Sequence, residues 1–370
     1  MWRAARRTAI VLVALALPLV SACAPAPPGD AGASGPASAP PSAAVQPPVT
    51  AELTPKGQPG AAAPEECDPD EDNCKESVTL TSGAKFTVQR NYPLAGSPAI
   101  TAALVVVHGA GRNPVSTLLG MWRAARAAGA DEHTLIVAPF FETDEDEPAT
   151  GVARWTDDGW KAGDDAVQPA GLSSFTVMDS LLAELADKSR WPNLKHITLA
   201  GHSAGGQFTQ RYAATGQAPS ALRGVSIDFV VANPSSYLYL EPNRPTGSGN
   251  HFAIPKTSCQ YNKYKYGLVD RPPYLQRLTD DQIIQTYTSR QVTYLLGDAD
   301  TTPSHDFDDS CEAMLQGSSR FQRGTLYFNR IHDLYPHAPQ KLVVVPAVGH
   351  NHYAIFESEQ ANHVLFGSSS

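Results

Sequence analysis

The chain has 370 residues, of which 42% are hydrophobic and 18% are charged, and its formal net charge is −9. This composition is sufficient for the buried core of one large domain or two small ones. It argues against nucleic acid as a partner, because the chain has no basic surplus to neutralise phosphates.

The N-terminus has the features of an export signal. Three arginines among the first seven residues precede an apolar stretch at 8–20 that is too short to span a bilayer comfortably. We therefore predict a signal peptide at residues 1–22. The small residues directly before Cys23 resemble the lipobox of bacterial lipoproteins, which implies a lipid anchor on Cys23. Ordinary cleavage beside an incidental cysteine is the alternative.

A low-complexity segment follows the signal. Residues 24 to about 66 are rich in Ala, Pro, Ser and Gly and contain almost no large apolar side chain. Such a segment cannot bury enough surface to offset its chain entropy. We therefore predict a lipid-anchored, disordered linker at 23–75 and a single folded domain at 76–370.

Four cysteines remain after Cys23, and this even number suits disulfide bonds in an oxidising compartment. Three pairings are possible. We favour Cys67–Cys74 together with Cys259–Cys311, because the first two are close in sequence and lie outside the main domain. No second Cys or His stands beside them at zinc-binding spacing, so no metal is expected.

The predicted domain alternates strands and helices. An alternating pattern around Ser82-Gly83 indicates a hairpin. Continuous apolar runs then predict strands buried on both faces, at 103–109, 134–141, 196–201, 227–233, 292–297 and 341–347. Helical patterns lie between or after them, at 115–129, 173–187, 280–290, 319–335 and 353–366. The alternation predicts an α/β fold with helices on both faces of the sheet.

A serine stands between two glycines in Gly201-His202-Ser203-Ala204-Gly205, after a predicted strand and before a predicted helix. The G-x-S-x-G pattern in this context is typical of a nucleophile held out over the sheet edge on a strained turn. Glycine at the flanking positions lets the helix pack close enough to form that turn. A plain turn is the alternative.

A nucleophilic serine needs a base to remove its proton and a carboxylate to orient the base. His350 follows the last strand and is preferred to His352 as the base. Asp300 follows the preceding strand at G-x-x-D spacing and is preferred to Asp298, which is interpreted as a turn or capping residue. Asp228 lies inside a predicted buried strand and is assigned a hydrogen-bonding role in the core.

Backbone N–H groups beside the serine complete the predicted site. The turn His108-Gly109-Ala110-Gly111 ends the first long strand. The N–H groups of Ala110 and Ala204 are predicted to form an oxyanion hole, where losing one donor typically costs about 3–4 kcal/mol. His108 is expected to fix the loop rather than to transfer protons.

Taken together, the motifs HGAG, GHSAG, LGDADT and VGH, in the order Ser, Asp, His, resemble those of the α/β-hydrolase superfamily of serine hydrolases over about residues 84–363. The resemblance implies a mixed, mostly parallel sheet with the nucleophile after the fifth strand. It also implies hydrolysis of an ester or amide through an acyl-enzyme, without a cofactor.

We therefore predict a monomeric, lipid-anchored, extracytoplasmic serine hydrolase that cleaves a small-molecule or polymeric carboxylic ester. A serine peptidase or amidase is the second hypothesis. A non-catalytic surface-binding lipoprotein is the third, and the intact set of Ser203, Asp300 and His350 argues against it.

Two insertions, at 142–171 and 234–278, interrupt the pattern and are expected to cap the site from the carboxyl ends of strands. Their aromatic residues suit an apolar or ring-bearing acyl group or a sugar face, but they equally suit packing of the loops. These residues are Trp155, Trp160, Tyr237, Tyr239, Tyr261, Tyr264 and Tyr266. Acidic stretches at 68–73 and 298–309 are interpreted as solvated surface rather than calcium sites.

Overall fold

The computed structural model describes residues 65–68, 73–80, 82–247, 250–304 and 306–367. The predicted signal peptide, Cys23 and the linker as far as residue 64 lie outside the described residues, so these expectations stay predictions. None of the helices in the described ranges has the length and apolar character needed to cross a membrane.

An eight-stranded sheet forms the centre of the domain. Its strands are β1 (Lys75–Thr79), β2 (Lys85–Arg90), β3 (Ala102–Val107), β4 (Thr134–Phe140), β5 (His196–His202), β6 (Ser226–Ala232), β7 (Val292–Gly297) and β8 (Gln340–Val345). Their order in space is β1-β2-β4-β3-β5-β6-β7-β8. The β1–β2 and β2–β4 pairs are antiparallel, and the other neighbours are parallel. The six continuous apolar runs are therefore the six mutually parallel strands, and the predicted fold class is confirmed.

Helices cover both faces of this sheet. They are α1 (Pro114–Ala127), α2 (Ser174–Leu185), α3 (Ala204–Thr215), α4 (Pro273–Gln276), α5 (Asp280–Ser289), α6 (Cys311–Met314), α7 (Arg320–Leu334), α8 (His352–Phe356) and α9 (Glu359–Phe366). The single helix predicted at 353–366 is wrong: α8 ends at Phe356, and Ser358 caps the start of α9, because its hydroxyl accepts the Ala361 N–H at 3.1 Å.

Neighbouring side chains of β3 enter different cores. Val105 packs in the core that contains Phe208 of α3, whereas Leu104 packs in the core that contains Met121 of α1. Successive side chains of a strand point to opposite faces of the sheet, so both faces are buried. This explains why the strand sequences lack polar alternation.

Cys67 and Cys74 belong to the folded domain, which corrects the expectation that they lie outside it. Cys67 and Cys74 are joined, and both are buried. The Cys67 N–H donates to the Asn91 carbonyl at 2.8 Å, and the Arg90 N–H donates to the Cys74 carbonyl at 2.9 Å. The second predicted pair, Cys259–Cys311, is also present, so the predicted pairing is confirmed.

Both insertions follow the carboxyl ends of sheet strands, as predicted. The first follows β4 and contains a two-stranded parallel pair, Glu142–Thr143 with Arg154–Trp155. The second follows β6 and contains an antiparallel pair, Arg244–Thr246 with His251–Ala253. Parallel strands end at one edge of the sheet, so both insertions rise from the edge where Ser203 follows β5.

Candidate active site

Ser203 occupies the sharp turn between β5 and α3. Its backbone has φ 59° and ψ −120°, a left-handed conformation that is strained for a residue with a side chain. The turn requires small neighbours: a Cβ atom on Gly205 would lie 2.1 Å from the Val107 carbonyl oxygen, and one on Gly201 would lie 2.2 Å from the Gly205 carbonyl oxygen. At both glycine positions of the motif a side chain would therefore collide with the backbone, as the sequence predicted.

Three polar side chains from three strand ends meet at this turn. His350 Nε2 lies 2.9 Å from Ser203 Oγ, and His350 Nδ1 lies 2.8 Å from Asp300 Oδ2. A carboxylate only accepts hydrogen bonds, so Nδ1 carries the proton of the neutral ring. Nε2 is then free to accept the hydroxyl proton of Ser203. The structure thus brings together the three residues that the sequence singled out.

The carboxylate of Asp300 is buried and held in place. Besides His350, its Oδ2 accepts a hydrogen bond from Asn233 Nδ2 at 2.6 Å, and Asn233 Oδ1 accepts the Gly297 N–H at 2.9 Å. Arg320 Nη1 lies 3.8 Å from Asp300 Oδ1. No sequence motif indicated Asn233 or Arg320, although Asn233 stands directly after β6, where residues of this site are found.

The rejected candidates have other roles. Asp298 Oδ1 accepts the Ala347 N–H at 2.6 Å, so it fixes a turn, as expected. His352 is the first residue of α8. The core role given to Asp228 is wrong. Its side chain is 46% exposed and lies 3.7 Å from His196 Nε2, because the first residues of β6 reach the rim of the sheet.

Two further histidines lie close to the candidate base, His350. The His202 ring centroid is 4.5 Å from that of His350 and 6.2 Å from that of His352. Burial is the largest cause that lowers the pKa of His202 well below its usual value, and burial also lowers the pKa of His352. Both rings are therefore neutral near pH 7, so neither opposes a positive charge on His350.

The predicted oxyanion donors lie beside Ser203. Ala110 and Ala204 line one cavity, and a Cβ atom on Gly109 would be 3.9 Å from Ser203 Cβ. Ala204 is the first residue of α3, where a helix leaves its N–H groups without partners. Among the described residues, neither amide donates to a backbone oxygen. The arrangement leaves two N–H groups available to a ligand oxygen.

His108 fixes the loop that carries Ala110, as expected. Its Nδ1 lies 2.9 Å from the Gly109 carbonyl oxygen, and its Nε2 accepts the Phe141 N–H at 3.1 Å. The ring is buried, and burial lowers its pKa to about 4. A neutral His108 with its proton on Nδ1 thus joins the loop to the end of β4.

The cavity next to Ala110 and Ala204 has a volume of ≈ 620 Å³ and a mostly charged lining. Residues of both insertions and of the loop after β7 contribute to it. They are Ala110, Gly111, Arg112, Glu145, Asp157, Asp158, Lys161, Ala204, Gln207, Lys265, Tyr266, Asp306, Phe307, Asp308, Asp309 and Ser310. Within the described ranges, no His, Cys, Asp and Glu side chains form a group able to hold a metal ion.

Packing of the loops accounts for most of the insertion aromatics. Trp155, Trp160, Tyr237 and Tyr239 are buried in the core, whereas Tyr266 lines the cavity. The hypothesis of an aromatic wall for an apolar acyl group is therefore not supported, and the alternative of loop packing accounts for these four residues.

Arg112 connects the loop that carries Ala110 to the first insertion. Its guanidinium group donates to Asp146 at 2.8 Å, to Glu145 at 2.7 Å and to Asp157 at 2.5 Å. The Arg112 side chain is largely buried, whereas Glu145 and Asp157 are exposed. These three pairs hold the insertion over the cavity.

Two solved structures share the fold. The LpqC poly(3-hydroxybutyrate) depolymerase of Bordetella parapertussis matches with a TM-score of 0.56 and 21% identity, over 79% of this chain and 90% of that chain. The poly(aspartic acid) hydrolase-1 of Sphingomonas sp. KT-1 matches with a TM-score of 0.53 and 22% identity, over 75% of this chain and 92% of that chain. No protein-family model and no curated protein matches the chain. The chain has the α/β-hydrolase fold.

Proposed function

We propose that the protein is a serine hydrolase that cleaves carboxylic esters. The observation that carries the proposal is the unbroken chain of contacts from Asp300 to His350 at 2.8 Å and from His350 to Ser203 at 2.9 Å. A carboxylate, an imidazole and a hydroxyl in this order activate serine as a nucleophile on several unrelated folds.

The proposed reaction has two halves. Ser203 Oγ attacks the carbonyl carbon while its proton moves to His350 Nε2, and Asp300 stabilises the resulting imidazolium. The N–H groups of Ala110 and Ala204 stabilise the negative oxygen of the tetrahedral intermediate. His350 then gives the proton to the leaving alcohol, which departs. A water molecule, deprotonated by His350, hydrolyses the acyl-enzyme and restores Ser203.

Single substitutions test this assignment. On p-nitrophenyl esters of increasing chain length, we expect Ser203→Ala and His350→Ala to lower kcat by a factor of about 10³ or more, because members of such a triad act as a unit. Asp298→Asn is the control variant. It changes a carboxylate close to the site that lies outside the triad, so it should retain activity. Active His350→Ala beside inactive His352→Ala would contradict the choice of base.

Matched esters and amides separate the enzyme hypotheses. We expect turnover of p-nitrophenyl esters and of polyester film, and little turnover of p-nitroanilides with the same acyl groups. An amide needs protonation of a poorer leaving group by His350. Faster turnover of the anilides would favour a peptidase or amidase, and absence of any turnover by folded protein would favour a binding protein.

We also propose that the protein is exported and anchored by lipid on Cys23. The signal-like N-terminus and the two disulfides, Cys67–Cys74 and Cys259–Cys311, support an oxidising, extracytoplasmic location. In an exporting bacterium, the full chain should incorporate labelled fatty acid and sediment with membranes, and Cys23→Ser should do neither. Equal labelling of both forms would contradict the anchor.

A further inference from the structure

Gln207 lies one helical turn after Ser203 and borders the cavity. Its N–H donates to the Ser203 carbonyl oxygen at 3.0 Å, so the two residues occupy the same face of α3. The residue is only 4% exposed, yet it lines the cavity beside Ala110 and Ala204. Buried polar side chains normally have hydrogen-bond partners, so the partners of each polar atom of Gln207 must be identified.

The orientation of the Gln207 amide follows from its neighbours. Its Oε1 accepts from Arg211 Nη2 at 3.0 Å and from Ser236 Oγ at 3.0 Å. A guanidinium group only donates, so the oxygen of Gln207 must face Arg211 and the amide nitrogen must face away. In the described part of the chain, that nitrogen has no hydrogen-bond acceptor. Two N–H donors of a buried side chain are therefore left for the cavity.

The positive charge behind Gln207 strengthens these donors. Arg211 is fully buried, and its other terminal nitrogen donates to the Lys161 carbonyl at 2.9 Å. Among the described residues, no carboxylate lies within ion-pair distance of Arg211. Its charge polarises the Gln207 amide through the shared hydrogen bond, so the amide N–H groups favour an acceptor oxygen.

The position of the cavity indicates that it holds the acyl group of the substrate rather than the leaving alcohol. The cavity borders the proposed oxyanion donors, Ala110 and Ala204, and His350 is not part of its lining in the described ranges. In the proposed reaction the leaving alcohol departs beside His350, because it receives its proton there. The acyl group therefore extends toward Gln207.

We propose that Gln207 determines specificity by donating a hydrogen bond to an oxygen atom in the acyl chain close to the scissile carbonyl. The preferred substrates are then esters of oxygen-bearing acids, such as alkoxy or hydroxy acids, rather than of plain fatty acids. This inference rests on the proposed ester hydrolysis. The alternative is that Gln207 only anchors Arg211.

Isosteric esters test the proposal with the wild-type chain. p-Nitrophenyl methoxyacetate is matched with the butyrate, and 3-methoxypropanoate with the pentanoate. The ratio of kcat/KM within a pair, divided by the same ratio for hydroxide-catalysed hydrolysis, removes intrinsic reactivity. We expect this corrected preference to be at least about tenfold in one pair, which corresponds to one well-placed hydrogen bond. Corrected ratios near one in both pairs would overturn the inference.

Two variants then assign the preference to Gln207. Gln207→Glu keeps an acceptor for Arg211 and Ser236 but loses the donor, and Gln207→Met loses both. Each should reduce the corrected preference about tenfold, mainly by slowing the oxygenated ester. Gln210→Met is the control, because Gln210 is buried in the same helix but contacts Leu238 and Tyr327 instead of the cavity. It should change both esters of a pair equally.

The outcomes distinguish this inference from the proposed function. A preference that survives both Gln207 variants would contradict the role of Gln207 while leaving ester hydrolysis intact. Retained hydrolysis in Ser203→Ala, or no hydrolysis of any ester by the folded wild type, would contradict the proposed function itself.

Discussion

The neutral ring of His108 holds the loop next to the candidate site in place. The ring holds the loop of Ala110 through two hydrogen bonds, to the Gly109 carbonyl and from the Phe141 N–H. The second bond needs an unprotonated Nε2, and Trp160 packs on the ring at 4.7 Å between centroids. The loop beside Ser203 is therefore held by a histidine that must stay neutral.

This histidine should make stability depend on pH. Its pKa is about 4 in the fold and about 6.5 in the unfolded chain, so only the unfolded chain takes up the proton between these values. Its contribution is complete above pH 6.5 and is lost as the pH falls toward 4. In urea unfolding, we expect the advantage of wild type over His108→Gln to shrink by about 2 kcal/mol between pH 6.5 and pH 5. A constant difference would contradict the neutral state of His108.

The sequence could predict the site residues with local signatures. Ser203, Asp300 and His350 each follow a strand in a recognisable short pattern, so the ends of parallel strands bring them together. Asn233 also follows a strand but belongs to no such motif, and Gln207 lies inside a helix. Their roles depend on partners far along the chain, at Asp300 and Ser236, and these contacts exist only after folding.

Among the secondary-structure elements, α3 packs closely on the sheet because two of its residues, Gly205 and Gly206, have no side chain. A Cβ atom on Gly205 would meet the Val107 carbonyl at 2.1 Å, and one on Gly206 would meet the Ala232 carbonyl at 2.7 Å. Both contacts are with backbone atoms, which cannot turn away as a flexible side chain can. The close approach of α3 to β3 and β6 therefore fixes the position of Ser203.

Gly205→Ala should break this packing. The added methyl group must push α3 away from β3, so we expect a loss of about 3 kcal/mol or more, or failure to fold. Gly111→Ala is the control, because a Cβ atom there meets nothing within 4 Å. Thermal unfolding of both variants checks the prediction, and equal melting temperatures would contradict it.

Strands and helices with strong local sequence patterns could be predicted, but the points where such a pattern is broken could not. The parallel strands begin and end within two residues of the predicted runs, because strands buried on both faces have continuous apolar sequences. The break between α8 and α9 was missed, because the helical pattern continues across Ser358. Asp228 was misplaced because the sequence does not show where a strand leaves the covered part of the sheet.

At the scale of the whole molecule, three segments surround the cavity: the two insertions and the loop after β7. The Cys259–Cys311 disulfide joins the second insertion to the start of α6, just after that loop. Arg112 joins the loop that carries Ala110 to the first insertion. The cavity is thus framed by covalent and ionic connections between segments distant in sequence.

Removing the Cys259–Cys311 disulfide should destabilise the domain. It closes a loop with a sequence separation of 52, for which chain entropy predicts a loss of about 4 kcal/mol, against about 2 kcal/mol for the separation of 7 between Cys67 and Cys74. The Cys259→Ser/Cys311→Ser variant should therefore unfold at lower urea concentration than Cys67→Ser/Cys74→Ser. An unchanged unfolding midpoint in the first variant would contradict the prediction.

The sequence predicted the layout of the domain but not the character of its cavity. The strand and helix order and the disulfide pairing follow from patterns along the chain. The charged lining depends on how the insertions fold back, with Trp155 and Tyr237 buried and Lys161 and Lys265 facing the cavity. Aromatic content alone does not show which side chains face a cavity.

Site mapping with a fluorophosphonate tests whether Ser203 is a nucleophile activated by His350. The purified protein is labelled, digested and analysed by mass spectrometry, with Ser203→Ala and His350→Ala treated in parallel. We predict that the probe's mass is found on Ser203 in the wild type and is absent from both variants. A label on another residue, or equal labelling of Ser203→Ala, would contradict the assignment of Ser203 as the nucleophile.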